Sequence, residues 1–206
     1  MLTVDQALSV VRSAVPRLTA EEIALGEGLG RVAASAVASA VDLPAMALSG
    51  MDGYAVRAGD TRGAGPSTAR VLTVRGEVRA GGCPTLRLES GQAARIMTGA
   101  ALPDGADAVV MVEQTRPRGE AAVEILAEVP PGEAVRPAGE NIRAGEEVVG
   151  PGQVLGPAQL GMLAAVGQTR LRVVRRPRVA VLATGDELTR LGEPLAAGKI
   201  YSANSY

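Results

Sequence analysis

Four short segments hold the residue types that could do chemistry in this 206-residue chain. The first runs from Met46 to Val56 and centres on Asp52, with Ser49-Gly50 before it and Gly53-Tyr54-Ala55 after it. Asp-Gly commonly makes a tight turn, and the apolar flanks place this carboxylate at a surface turn rather than in a strand. A purely structural turn and a functional carboxylate are both open at this point. The second segment is Arg95-Ile96-Met97-Thr98-Gly99-Ala100, running on to Leu102-Pro103-Asp104-Gly105-Ala106-Asp107. Thr98-Gly99 offers a hydroxyl and an unhindered amide to an anion, or simply forms a turn. The third spans Arg136 to Arg143, where two arginines flank Gly139. They could grip a phosphate bidentately or form a solvated basic loop. The fourth, Thr184-Gly185-Asp186-Glu187-Leu188, sets two adjacent carboxylates beside a glycine. Such carboxylates are costly unless solvated, paired or bound to a cation. Its glycine spacing matches neither a Walker A loop nor a dinucleotide fingerprint.

Composition narrows the chemistry further. The chain has no histidine, which removes Ser-His-Asp and Cys-His hydrolases, histidine zinc sites and histidine general bases together. Lys199 is its only lysine and Cys83 its only cysteine. Cys83 reads as a loop thiol in Ala80-Gly81-Gly82-Cys83-Pro84, with no internal partner, and fits a reduced cytoplasmic setting. Carboxylates without imidazole or thiolate companions suit a hard cation such as Mg²⁺. A net charge of −1 and an aromatic fraction of 1% provide neither the basic field nor the stacking surfaces of a nucleic-acid binder. No apolar run is long enough to span a membrane, and Met1-Leu2-Thr3-Val4-Asp5 does not read as a signal peptide.

The elements that must position these groups can be read in outline. Thr3 and Gln6 make a capping-box pattern for a helix over 3–15, with Val4, Ala7, Leu8 and Val11 on one face. The alanine-rich stretch Ala33–Ala40 is expected to be helical, ending before Pro44. Both segments could serve oligomer contact or plain core packing. Between about 50 and 140, short alternating runs and Gly/Pro turns predict a β-rich unit, with strands at Val71–Val74, Ala108–Val112 and Val123–Leu126. A helix is expected from Pro157 to a stop at Gly167, and strands at Leu171–Val174 and Val179–Leu182. The last of these reads as a buried strand opening an α/β domain with its ligand edge at Thr184. Too few residues follow Pro177 to complete a doubly wound sheet.

Taken in order, SGMDGYAV, RIMTGAALPDGADAVVMVEQT, GENIRAGEEV and PRVAVLATGDEL with GKIYSANSY resemble the molybdopterin molybdenumtransferase family, which includes the C-terminal domain of gephyrin. The resemblance covers essentially the whole chain. It implies an α+β multidomain fold: a segmented helical domain (1–44 and 143–172) and a β-rich insertion (45–142). The start of a truncated three-layer α/β molybdopterin-binding domain (173–206) follows. The rest of that domain, with a GGVS-type loop, and a β-barrel would lie beyond Tyr206.

The resemblance also implies the activity. Family members insert molybdenum from molybdate into adenylylated molybdopterin, releasing AMP, with Mg²⁺, as cytoplasmic homodimers whose cleft joins two subunits. A molybdopterin adenylyltransferase is the expected protein partner; nucleic acid and membrane are not. Asp52, Thr98, Arg136 and Glu187 match positions that look functional in the family, and Asp186 is their neighbour in the TGDEL turn. Asp52 and Glu187 are expected to be catalytic and metal-binding, and Thr98, Arg136, Asn141 and Asp186 substrate-binding. Many relatives carry Gly-Glu-Asp where this chain has Gly139-Glu140-Asn141, so an amide replaces a carboxylate. A second reading, from the missing half of the cleft, is a non-catalytic dimerisation or assembly module of the same family.

Overall fold

The computed structural model describes residues 2–82 and 84–204. The loop thiol expected at Cys83 lies outside the described residues, as do the last two residues of the GKIYSANSY segment. The element order is α1 (Val4–Ala14), β1 (Ala20–Ala24), β2 (Val37–Ala38), β3 (Leu48–Ser49), β4 (Gly53–Val56), β5 (Arg70–Val78), β6 (Gln92–Ile96) and β7 (Ala108–Met111). It continues with β8 (Thr115–Arg118), β9 (Ala122–Ile125), β10 (Val135–Arg136), β11 (Glu147–Val149), α2 (Pro157–Ala165), β12 (Arg170–Val174), β13 (Leu188–Thr189) and β14 (Ile200–Tyr201).

The capping box read from the sequence is present. The Gln6 amide donates to the Thr3 hydroxyl and the Thr3 amide to the Gln6 side chain, which satisfies two donors at the start of α1. No residue of α1 is buried, however, so its apolar face of Val4, Leu8 and Val11 lies open. At the other end of the chain, Pro157 begins α2, and Gly167 at φ +81 ends it in the left-handed region. Leu163 carries that helix into a core with Ala33, Val149, Leu155, Leu171 and Val173.

The β-rich expectation holds for β5, β7 and β9, which join β4, β6 and β8 in a six-stranded sheet of order β7-β4-β6-β5-β9-β8. Its pairs are antiparallel except β5 with β6. Alternation gives the sheet two packed faces. Tyr54, Val56, Ala93, Val110 and Val123 line one, and Ala55, Ala94, Ile96 and Val109 the other. With no Phe or Trp available, small side chains let both layers approach closely.

Two expectations are corrected. Ala33–Ala40 is not helical: its backbone amides bond to distant carbonyls, Ala33 to Gln153, Ala34 to Arg172 and Ser39 to Glu146. Val37–Ala38 forms β2 against β11 instead. Alanine propensity is a weak local preference, and Ser39, whose hydroxyl donates to the Val41 carbonyl, competes with it. Val179–Leu182 does not form a strand. Val179 is 77% and Leu182 87% exposed, because a strand apolar on both faces needs neighbours that none of the described residues supplies. The carboxylate turn that follows is instead braced by a short parallel pair, β13 with β14.

Candidate functional site

Asp52-Gly53 is not a free tight turn. Gly53 is the first residue of β4, the strand flanked by β6 and β7, with Ile96 on one side and Met111 on the other. A Cβ at Gly53 would stand 2.0 Å from the Val110 carbonyl oxygen, so only glycine lets the strands meet there. Asp52 is therefore held at the mouth of an inner strand, and its own carbonyl accepts from the Val112 amide at 3.0 Å.

The loop before it is equally fixed. Ser49 is fully buried and donates its hydroxyl to the Met51 carbonyl at 2.6 Å. The Gly50 amide donates to the carbonyl of Ala134, a residue held at φ +50, in the left-handed region. Gly99, at φ +78, donates its amide to the Ser49 carbonyl at 2.8 Å and so locks loop 97–100 onto loop 49–52. These contacts deliver Thr98 to Asp52. The Thr98 amide and hydroxyl both donate to Asp52 Oδ1, at 2.7 and 2.8 Å.

That clamp sets the charge state. The Thr98 amide first, then its hydroxyl, hold the Asp52 carboxyl below an aspartate's ordinary 3.8; slight desolvation opposes them and the Arg95 charge assists. Because the folded value is depressed, the ionised form stabilises the fold above the ordinary value. That contribution is lost as pH falls through the folded one. Thr98→Val removes the smaller of the two Thr98 contributions and keeps the amide. The Asp52 carboxyl should then titrate at higher pH than in the parent, as read by carbon NMR of the side chain. A titration curve identical to the parent's would show the hydroxyl to be idle.

Arg136 lies on the same rim. It pairs with Leu48 across β10 and β3, and its Cγ is 3.7 Å from where a Gly50 Cβ would sit. Its Nε donates to Glu140 at 2.7 Å and its Nη2 to the Asn141 side-chain oxygen at 2.9 Å. The amide at 141 thus satisfies the guanidinium as a carboxylate would, without adding charge, and Glu140 alone neutralises it. Half-exposed ion pairs of this kind contribute at most about 1 kcal/mol, so an entering anion can compete for the arginine.

Asp186 and Glu187 are not brought to this rim. Glu187 accepts the Ile200 amide on its carbonyl, Lys199 donates to the Asp186 carbonyl, and neither carboxylate meets Asp52, Thr98 or Arg136. Among the described residues, no group of three or more Asp, Glu, His or Cys side chains gathers for a metal. Asp52 nonetheless fits as a single hard-cation ligand, since it is exposed and its Oδ2 accepts no hydrogen bond from the described residues. The buried hydroxyl of Ser49, the ion pair of Glu140 and the packing role of Gly53 were not among the sequence expectations. Only Glu140, four residues from Arg136, left a readable spacing signal.

A family model described as the MoeA N-terminal region (domain I and II) matches residues 2–167. The chain belongs to the MoeA family. A molybdopterin molybdenumtransferase of Nostoc sp. is 39% identical over 210 residues, spanning 100% of this chain and 48% of the relative. One from Haemophilus influenzae is 36% identical over 208 residues, spanning 100% and 50%. The crystal structure of a MoeA protein of molybdopterin biosynthesis from Pyrococcus horikoshii OT3 matches with a TM-score of 0.89 at 33% identity, over 98% of this chain and 54% of that one. The chain spans about half the length of the curated relatives it matches. Asp52, Thr98, Arg136 and Asn141 fall within the MoeA-matched region, and Asp186 and Glu187 beyond it. No helix among the described residues is long and apolar enough to cross a membrane.

Proposed function

We propose that this MoeA-family chain supplies one wall of a molybdopterin molybdenumtransferase site, where molybdenum from molybdate enters adenylylated molybdopterin and AMP leaves. The observation that carries the reading is the Asp52 carboxylate, kept ionised by Thr98 with one oxygen open on an exposed rim. Asp52 would hold Mg²⁺, which supplies charge neutralisation for cleaving the phosphoanhydride. Thr98 fixes the carboxylate, and Arg136, steadied by Glu140 and Asn141, offers donors to a substrate oxyanion. Asp186 and Glu187 belong to a second cluster that would act from the opposite wall of a two-subunit cleft, with Glu187 a further metal ligand. The same reading places the protein in the cytoplasm as a homodimer, with a molybdopterin adenylyltransferase as the partner that delivers substrate.

The division into a segmented unit (1–44 with 143–172), a β-rich insertion (45–142) and the start of an α/β domain (173–206) is part of this proposal. It is supported by the β1–β12 and β2–β11 ladders, which tie the two outer segments together. An alternative is a non-catalytic assembly module, favoured by the open apolar face of α1. AMP release from adenylylated molybdopterin, with molybdate and Mg²⁺, separates the readings when measured on the complete gene product. Turnover supports the enzyme. Self-association without turnover or molybdopterin binding leaves the module.

A further inference from the structure

Arg95 is the arginine of the site that the local structure does not engage. It stands on β6 opposite Tyr54, two residues along from Asp52 and three before Thr98, and alternation turns it to Asp52's side of the sheet. On its other side the β5 register sets Glu77 beside it, but Glu77 receives Arg79 Nε at 3.3 Å instead. Among the described residues Arg95 is exposed and makes neither an ion pair nor a side-chain hydrogen bond. Its natural counter-ion, Asp52, is held back by the two Thr98 donors. The Arg95 charge is felt at Asp52, yet the two groups form no salt bridge.

We propose that Arg95 is an oxyanion-binding residue of the Asp52 site, its five donors kept available for a phosphoryl or tetraoxo-metal group of the substrate. The inference deepens the transferase reading and rests on it for the identity of the oxyanion. A planar guanidinium presents paired donors to either group, and the neighbouring carboxylate repels a misplaced anion while leaving one at Arg95 within reach.

The test is calorimetric titration of the complete gene product with inorganic pyrophosphate and, separately, molybdate, comparing the parent with Arg95→Gln and Arg95→Lys. Loss of one charged donor set is expected to weaken binding of at least one probe by roughly ten- to hundredfold in Arg95→Gln. Arg95→Lys should retain part of the affinity. Weakening for pyrophosphate alone assigns the phosphoanhydride end of the substrate, and for molybdate alone the metal oxyanion. Equal affinities for both probes in parent and Arg95→Gln overturn the proposal. Because Arg95 is exposed, the variants should melt with the parent, and Arg95→Lys serves if Arg95→Gln does not. If Asp52→Asn keeps full turnover while Arg95→Gln still loses the anion, the assignment of Asp52 to the reaction fails and the anion site stands.

Discussion

Asp52→Asn should lower molybdenum insertion by about two to three orders of magnitude, the scale set by removing one preorganised electrostatic group from a reaction centre. The substitution is chosen because asparagine keeps the shape and can still accept both Thr98 hydrogen bonds on its side-chain oxygen. Only the charge goes. Since the side chain is exposed and its backbone is fixed independently through Val112, the melting point should fall only slightly, by the charge-assisted part of the Thr98 hydrogen bonds. Mg²⁺ titration should show weakened metal binding at the same time, because an amide oxygen is a poorer ligand for a hard cation. Unchanged AMP release by Asp52→Asn would remove this carboxylate from the mechanism and leave the transferase reading to rest on other residues.

Gly53→Ala tests the scaffold rather than the chemistry, and its expected cost is larger. The new methyl group would lie 2.0 Å from the Val110 carbonyl oxygen, far inside van der Waals contact, and its neighbours are backbone that cannot rotate away. Relief requires β4 and β7 to separate against both packed faces, Val110 on one and Ala55 and Val109 on the other. Destabilisation of about 3–5 kcal/mol follows, beyond the usual range for overpacking because backbone rather than a side chain must yield. Urea unfolding reads it as a shifted midpoint, with Gly26→Ala as the control. Gly26 has nothing within 4 Å of its Cβ position, and its substitution should stay within about 0.5 kcal/mol of the parent. Equal midpoints for the two variants would mean that the strands do not close on Gly53 as described.

These residues also show which parts of the molecule could be read in advance. The capping box at Thr3 and Gln6, the proline start and glycine stop of α2, and the alternation of β5, β7 and β9 are local signals, encoded within a few residues. They survived folding intact. Ala33–Ala40 did not, because its backbone partners come from residues 145–172, and no window around the alanines contains that information. Val179–Leu182 was misread for the converse reason: its pattern is that of a strand buried on both sides, and the described chain offers no cover. At the site, the Met51-Asp52-Gly53 motif was visible, yet its meaning was not. Thr98 lies 46 positions from Asp52, and the β4–β6 register together with the Gly99–Ser49 bond brings them together. A dipeptide that looked like a turn proved to be the entry to an inner strand.

Tyr54 gives the aromatic-poor composition a practical use. The chain has no Trp or Phe and only three tyrosines, and Tyr54 is the one within the six-stranded sheet, 8% exposed and two residues from Asp52. Near-ultraviolet circular dichroism and tyrosine emission carry no tryptophan background here. Of the three tyrosine contributions to that signal, the one from this ring reports on the packing beside the Asp52–Thr98 clamp. The residue poverty that forced a core of alanine and valine also leaves the rim with an optical readout of its own.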